Sequence, residues 1–161
     1  MMVSTKGRYA LRPMVDIAQQ GAGAVVPLKD VSARQAISLK YLESIALQLS
    51  KAGFLNSTRG PRGGYSLTRP PQEYTVGSIL YLAEGPMVPV SCLADPEQQC
   101  TRIDTCTTIC FWKGLNKLMD DYFNRYTLAD LLQAPCKVIR NRIVPQEDAP
   151  APSSEADPPQ E

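Results

Sequence analysis

The sequence predicts a mainly α protein with one small β-hairpin, an α+β fold, and three patterns carry that prediction. Apolar residues recur at helical spacing in several segments. Two short strand-like runs flank a turn rich in glycine and arginine, directly after a pair of short helices. A long amphipathic helix follows a stretch that holds four of the five cysteines. At 161 residues and 43% hydrophobic content, the chain suits one core domain with small attachments.

Ser4 is placed as the N-cap of a first helix whose Tyr9, Ala10, Met14, Ile17 and Ala18 share one face. Gly21 and Gly23 end it. Pro13 lies inside this pattern and is expected to kink or split the helix, because it removes a backbone donor. Leu28 to Gln35 forms a short second helix with Leu28, Val31 and Ala33 apolar. After a tight break at Gln35-Ala36-Ile37-Ser38, a third helix starts with Ser38 as its cap. Leu42, Ile45, Ala46 and Leu49 face the core there at i, i+3, i+4 and i+7. Lys40, Tyr41, Glu43, Ser44 and Gln48 are left outside, and Gly53 supplies the stop. Two short helices about a tight turn fit a helix-turn-helix, although any helical bundle contains such pairs.

Phe54 to Ser57 and Tyr65 to Thr68 read as two strands joined by Thr58-Arg59-Gly60-Pro61-Arg62-Gly63-Gly64. A hairpin directly after a helix-turn-helix is a wing. Its glycines allow close approach to DNA, and an arginine can enter the negative minor groove. An ordinary hairpin with solvated arginines is the alternative. Thr75 caps a fourth helix through Ala83, with Val76, Ile79, Leu80 and Leu82 apolar, and Gly85-Pro86 ends it. From Met87 to Thr105 the chain is polar and irregular, and a loop of that length is usually functional or disordered.

Periodicity returns from Thr107 to Tyr126 as Phe111, Trp112, Leu115, Leu118, Met119, Tyr122, Phe123 and Tyr126. That face is large for a helix flanked by short elements, so burial against a second copy is expected, with packing inside one subunit as the alternative. Thr127-Leu128-Ala129-Asp130 fits a capping box for one more short helix before Pro135. The acidic, proline-rich end is expected to be disordered. The boundaries are then 1–86 for a winged helix-turn-helix unit, 87–110 for a cysteine-rich loop, 107–133 for the dimerisation helix with its short successor, and 134–161 for a disordered tail.

The net charge of +1 conceals an asymmetry. Residues 1–70 hold ten Lys or Arg against Asp16, Asp30 and Glu43. The last seventeen residues hold five acids, five prolines and no basic residue. A basic N-terminal half fits a polyanion such as nucleic acid, or else a plain solvated face. No run approaches eighteen apolar residues and the start lacks a signal-peptide core, so a cytoplasmic protein without membrane partners is expected. The chain has no histidine, and no serine has an evident base, so no catalytic constellation is expected.

Cys92, Cys100, Cys106 and Cys110 fall within nineteen residues, spaced C-x7-C, C-x5-C and C-x3-C, while Cys136 stands apart as a plain thiol. Thiols in a reducing compartment point to metal or redox chemistry more than to disulfides. Structural zinc sites favour two close pairs, and only Cys106 to Cys110 approaches that spacing. A ferredoxin-like carrier would explain the cysteines and leave the basic hairpin without a task. A metal-free regulator, sensing through a partner or thiol oxidation, for example in cysteine metabolism, also remains open.

The opening STKGRYALR, the helix ISLKYLESIALQLSKAG, the wing TRGPRGGYSL, the EGP after the fourth helix and WKGLNKLMDDYFNRYTLADLL resemble the IscR-type branch of the Rrf-two family of bacterial regulators. The likeness covers roughly residues 2–133. It implies a winged helix-turn-helix homodimer on an operator, with an iron–sulfur cluster held in the loop before the dimer helix. In the IscR type that cluster is 2Fe–2S and the regulated genes concern cluster assembly, whose proteins would be cluster donors. The family's three cysteines match Cys92, Cys100 and Cys106, with two extra residues between the first pair. The IscR-type histidine ligand is replaced at its position by Ile109. A nitric-oxide-sensing branch borrows a carboxylate from near the partner's N-terminus, and this chain has Arg8 and Arg12 in that region. Cys110 is the natural fourth ligand, in a helix's first turn where the macrodipole favours thiolate. All-cysteine ligation suits a 2Fe–2S or a 4Fe–4S cluster.

The expected DNA-binding residues are Lys6 and Arg8 near the first helix, Ser38, Lys40, Tyr41, Glu43 and Ser44 on the recognition helix, and Ser57, Arg59, Gly60 and Arg62 on the wing. Glu43 is the unusual member. A carboxylate on a DNA-reading face fits the amino group of cytosine, and in IscR-type proteins a glutamate here helps separate two operator classes. The plain alternative is a solvated residue paired with a neighbouring lysine.

Overall fold

Ser4 accepts a hydrogen bond from the Lys6 N–H at 3.0 Å and starts α1, Thr5–Gln19. In the computed structural model, which describes residues 3–94, 100–133, 138–139 and 142–143, this helix is the centre of the molecule. Its apolar face, with Ala10, Met14 and Ile17 each at most 1% exposed, packs against four other helices and the wing. Pro13 does not split it. The proline is buried, so packing around it offsets the one backbone bond that it forfeits.

Helix α2, Leu28–Gln35, buries Val31 against the core, with Leu28 half-buried and Ala33 exposed. It ends on Ala36 in the left-handed region, φ 52°, the sole non-glycine residue there among those described. Helix α3, Leu39–Lys51, buries Leu42, Ile45, Ala46 and Leu49 as the spacing requires. Ser38 occupies its N-cap, but the side chain makes no capping hydrogen bond; the Ser38 carbonyl instead accepts from Leu42 at 3.0 Å. Gly53, at φ 75°, turns the chain out of α3.

The hairpin pairs β1, Leu55–Thr58, antiparallel with β2, Gly64–Leu67, in the register Leu55 to Leu67 through Thr58 to Gly64. Tyr65 also exchanges two backbone hydrogen bonds with Val26, at 2.8 and 2.9 Å. A Cβ on Gly64 would overlap the Val26 carbonyl, so only glycine allows that approach. The base of the wing is held by buried Tyr74. Its hydroxyl accepts from the Thr68 and Arg69 N–H groups at 3.0 and 2.9 Å and donates to the Phe54 carbonyl at 3.0 Å.

Thr75 caps α4, Val76–Glu84, by accepting from the Ser78 N–H at 3.0 Å. Ile79 and Leu80 are buried and Leu82 packs on the edge of the core. Short 3-10 turns at Pro71–Glu73, Ser91–Leu93 and Ile103–Thr105 punctuate the connections. Helix α5, Ile109–Arg125, is followed by α6, Leu128–Gln133. The capping box forms: the Thr127 N–H donates to the Asp130 carboxylate at 2.7 Å and the Asp130 N–H to the Thr127 hydroxyl at 3.3 Å. Beyond α6 an antiparallel pair, β3 Val138–Ile139 with β4 Arg142–Ile143, departs from a tail expected to be disordered from residue 134. The β-branched residues Val138, Ile139 and Ile143 are the sequence feature that favours strands there. Cys136 and the acidic end from Pro145 lie outside the described residues.

Candidate nucleic-acid interface and cysteine-rich loop

Helix α3 places its polar side chains outside because its four core residues fix the opposite face. Ser38, Lys40, Glu43 and Ser44 are exposed. Tyr41 departs from that expectation: it is half-buried, with its ring edge-on to Tyr9 at 5.8 Å between centroids. Leu47 was not anticipated on this face, and at 52% exposed it lies one turn beyond Glu43. Its spacing from the core residues was the available signal. Among the described residues the salt bridges are Arg34 to Asp16 and Lys117 to Asp121, so neither Glu43 nor Lys40 is committed to an ion pair there.

On the wing, Ser57, Arg59, Gly60 and Arg62 are all exposed. Gly60 adopts φ 111°, which closes the tip as its carbonyl accepts from Gly63 at 2.8 Å. At the start of α1, Arg8 is exposed and Lys6 half-buried. The expected residues therefore come from three elements: the wing, α3 and the first turn of α1.

The relation of α2 and α3 to α1 rests on a carboxylate that the sequence reading passed over. Asp16 is 1% exposed and accepts three hydrogen bonds from the Arg34 guanidinium, one at 2.6 Å and two at 3.1 Å, and one from Gln35 Nε2 at 2.7 Å. Arg12 donates to the Gln35 side chain at 3.0 Å and to its backbone carbonyl. Asp16 draws the Arg34 guanidinium further above its ordinary range. These contacts tie α1 to the residues just before the turn at Ala36.

Cys92, Cys100, Cys106 and Cys110 are all free thiols; Cys100 and Cys110 are exposed and the other two half-buried. Cys92 sits in the turn Ser91–Leu93, and Cys106 follows the turn Ile103–Thr105. Cys110 lies in the first turn of α5, as expected. Cys106 Sγ is 3.5 Å from the Thr108 hydroxyl, and hydrogen bonding from Thr108 holds the thiol below its ordinary range. Among the described residues no three Cys, Asp or Glu side chains converge as a metal-binding group. The donor set nevertheless suits an iron–sulfur cluster: soft, accessible sulfurs, none tied up in a disulfide.

Helix α5 buries none of its residues completely. Phe111 is 66% and Leu118 68% exposed, and Leu118 lines an open groove with Met119, Asp121, Tyr122, Phe123 and Arg125. Its other side is fixed to α4. Tyr81 donates to Asp120, and burial with that hydrogen bond pushes the phenol up to about 12. Thr75 donates to the Asn124 side chain at 2.9 Å, and the Val76 N–H to the Tyr126 carbonyl at 2.8 Å. No helix among the described residues is long and apolar enough to cross a membrane.

Residues 3–134 match the family model Rrf2, described as an iron-dependent transcriptional regulator. Protein rrf2 of Nitratidesulfovibrio vulgaris is 40% identical over 134 residues, which cover 83% of this chain and 88% of that protein. The HTH-type transcriptional regulator IscR of Serratia proteamaculans is 36% identical, covering 82% of this chain and 79% of that one. Among solved structures, IscR of T. potens is 34% identical with a TM-score of 0.67, over 83% of this chain and 87% of that chain. CymR, the global cysteine regulator of B. subtilis, is 30% identical with a TM-score of 0.68, over 83% and 97%. A winged-helix architecture, a family match along nearly all of the described residues and IscR relatives in both comparisons lead to one assignment: the chain belongs to the Rrf2 family of transcriptional regulators and is of the IscR type.

Proposed function

We propose that this protein binds operator DNA as a homodimer and reports iron–sulfur status through a cluster held by Cys92, Cys100, Cys106 and Cys110, with cluster-assembly genes as its targets. The observation that carries this reading is four free thiols, none in a disulfide, in the segment from just after the winged unit to the first turn of α5. When bound, the cluster supplies a state that depends on iron, sulfide and redox conditions. The chain's own residues do the rest. Hydrogen bonding from Thr108 holds the Cys106 thiol below its ordinary range, Cys110 lies in the first turn of α5, and α5 rests on α4 beside the winged unit. Lys40, Arg59 and Arg62 would contact phosphates or the minor groove, while Ser44, Glu43 and Leu47 face the bases.

The anaerobic visible absorption spectrum tests this. Sulfide-to-iron bands are expected in the purified protein, and serine at Cys92, Cys100 or Cys106 is expected to bleach them, with Cys136→Ser unchanged. A full cluster in Cys110→Ser would move the fourth ligand elsewhere. The likeness to CymR favours a second reading, a metal-free regulator of cysteine metabolism. A colourless, iron- and zinc-free protein that still binds its operator supports that reading; a colourless protein with stoichiometric zinc supports a structural zinc site.

A further inference from the structure

An acid in the last turn of a helix opposes that helix's own macrodipole. Glu84 ends α4 in this way, and its partners are at the start of α1: the N-cap Ser4 and the first-turn Gly7. Glu84 Oε1 accepts from the Ser4 N–H at 2.9 Å, the Ser4 hydroxyl at 2.7 Å and the Gly7 N–H at 2.8 Å. Two of these donors are backbone groups at the helix start, where no intrahelical acceptor exists. Ser4 thus caps α1 while Glu84 secures both Ser4 and the first turn. Hydrogen bonding from Ser4 is the largest cause holding the Glu84 carboxyl below its ordinary range, and the charge of Lys6 adds to it. Gly7 fits this contact closely: a Cβ there would overlap Glu84 Oε1.

We infer that Glu84 is the positioning residue that aims Lys6 and Arg8 at the DNA backbone, acting from the end of α4 through Ser4 and Gly7. The argument rests on the proposed role of Lys6 and Arg8 as DNA contacts. Ser4 to Arg8 is a single turn of chain, so a shift in its capping bonds re-aims both cations together. The geometry also explains why the turn carries a serine at position 4 and a glycine at position 7, and why an acid precedes Gly85-Pro86. Glu84 is, in addition, the last helical residue before the cysteine-rich loop.

The experiment is a double-mutant cycle on the full-length protein, read as operator affinity against salt concentration by fluorescence anisotropy. Lys6→Ala with Arg8→Ala is expected to weaken binding and reduce the salt slope by up to about 2. Glu84→Ala is expected to move affinity and slope in the same direction, and to change neither further in the Lys6→Ala, Arg8→Ala background. Glu84→Gln keeps an acceptor oxygen and is expected to stay near the wild type. If Glu84→Ala does not fold, Gly7→Ala carries the same comparison, because its methyl group displaces the carboxylate while improving helix propensity. A loss of equal size in both backgrounds would show a general structural role and overturn the proposal. Unchanged binding in Glu84→Ala would do the same. Unchanged binding in the Lys6→Ala, Arg8→Ala variant would remove the reading of those cations as DNA contacts, and the proposal with it.

Discussion

Glu43 stands exposed on the outer face of α3, one turn before Leu47, and takes part in no ion pair among the described residues. A carboxylate that enters a groove lined by phosphates needs a donor; the major groove offers the amino groups of cytosine and adenine, the latter beside the acceptor N7, so cytosine is the expected partner. Glu43→Ala, measured against single-base operator variants at fixed salt, is expected to lower rejection of the wrong base by roughly 1–3 kcal/mol and to improve binding to poorer sites. Unchanged discrimination at every base pair would take Glu43 out of readout. Two other carboxylates make a pH prediction. The Thr127 N–H and hydroxyl hold Asp130 below the usual range, as Ser4 and Gly7 hold Glu84. Stability from such depressed groups is complete above the unfolded pKa of about 4 and is lost as pH falls through the folded value. Acid unfolding of Asp130→Asn is therefore expected to depend less steeply on pH below about 4 than that of the wild type. Asp16 was not legible in the same way. One sequence shows an acid on the helix and Arg34 eighteen residues later, but nothing in their spacing pairs them across two elements.

Elements were legible to within a residue or two wherever local chemistry sets the boundary. The Ser4 and Thr75 caps and the Thr127 to Asp130 box are each formed by neighbours in sequence, and each stands where the residues place it. The hairpin is shifted by one residue at its start, β1 at Leu55 instead of Phe54. The reason lies in α3: the Phe54 N–H donates to the Leu49 carbonyl at 2.8 Å, completing the helix end instead of opening the strand. The turn before α3 was placed correctly, but its left-handed Ala36 was not expected, because glycine is the usual residue there. Ser32 supports the turn: its hydroxyl donates to the Ile37 carbonyl at 2.7 Å. The wing yields a prediction at this scale. Its register fixes Arg59 and Arg62 on the exposed tip, so Arg59→Ala is expected to weaken operator binding across sequences and reduce the salt slope by about 1. An unchanged slope would place the wing outside the interface.

At the scale of the whole molecule, one long helix has a polar attachment on one side and large apolar side chains exposed on the other. Tyr81, Thr75 and Val76 secure α5 to α4 through Asp120, Asn124 and the Tyr126 carbonyl. Phe111 and Leu118, each about two-thirds exposed, lie on the side away from those contacts. The periodicity of α5 was readable in the sequence, whereas among the described residues Phe111 and Leu118 remain exposed. The same limit applies to the cysteines. Their spacing was plain, but among the described residues the cysteines do not converge into a metal-binding group. Covering the apolar face with a second copy accounts for a large aromatic surface that water would otherwise meet. Leu118→Glu places a charge in the middle of that face and removes no contact with the core, since Leu118 is 68% exposed. Analytical ultracentrifugation is expected to show a folded monomer for this variant and a dimer for the wild type. Losing the dimer halves the number of reading heads on each protein, so affinity for a palindromic site, with half-sites about one helical turn apart, is expected to fall toward that of a single half-site. A dimer of unchanged stability in Leu118→Glu would mean that α5 is covered by something other than its own copy.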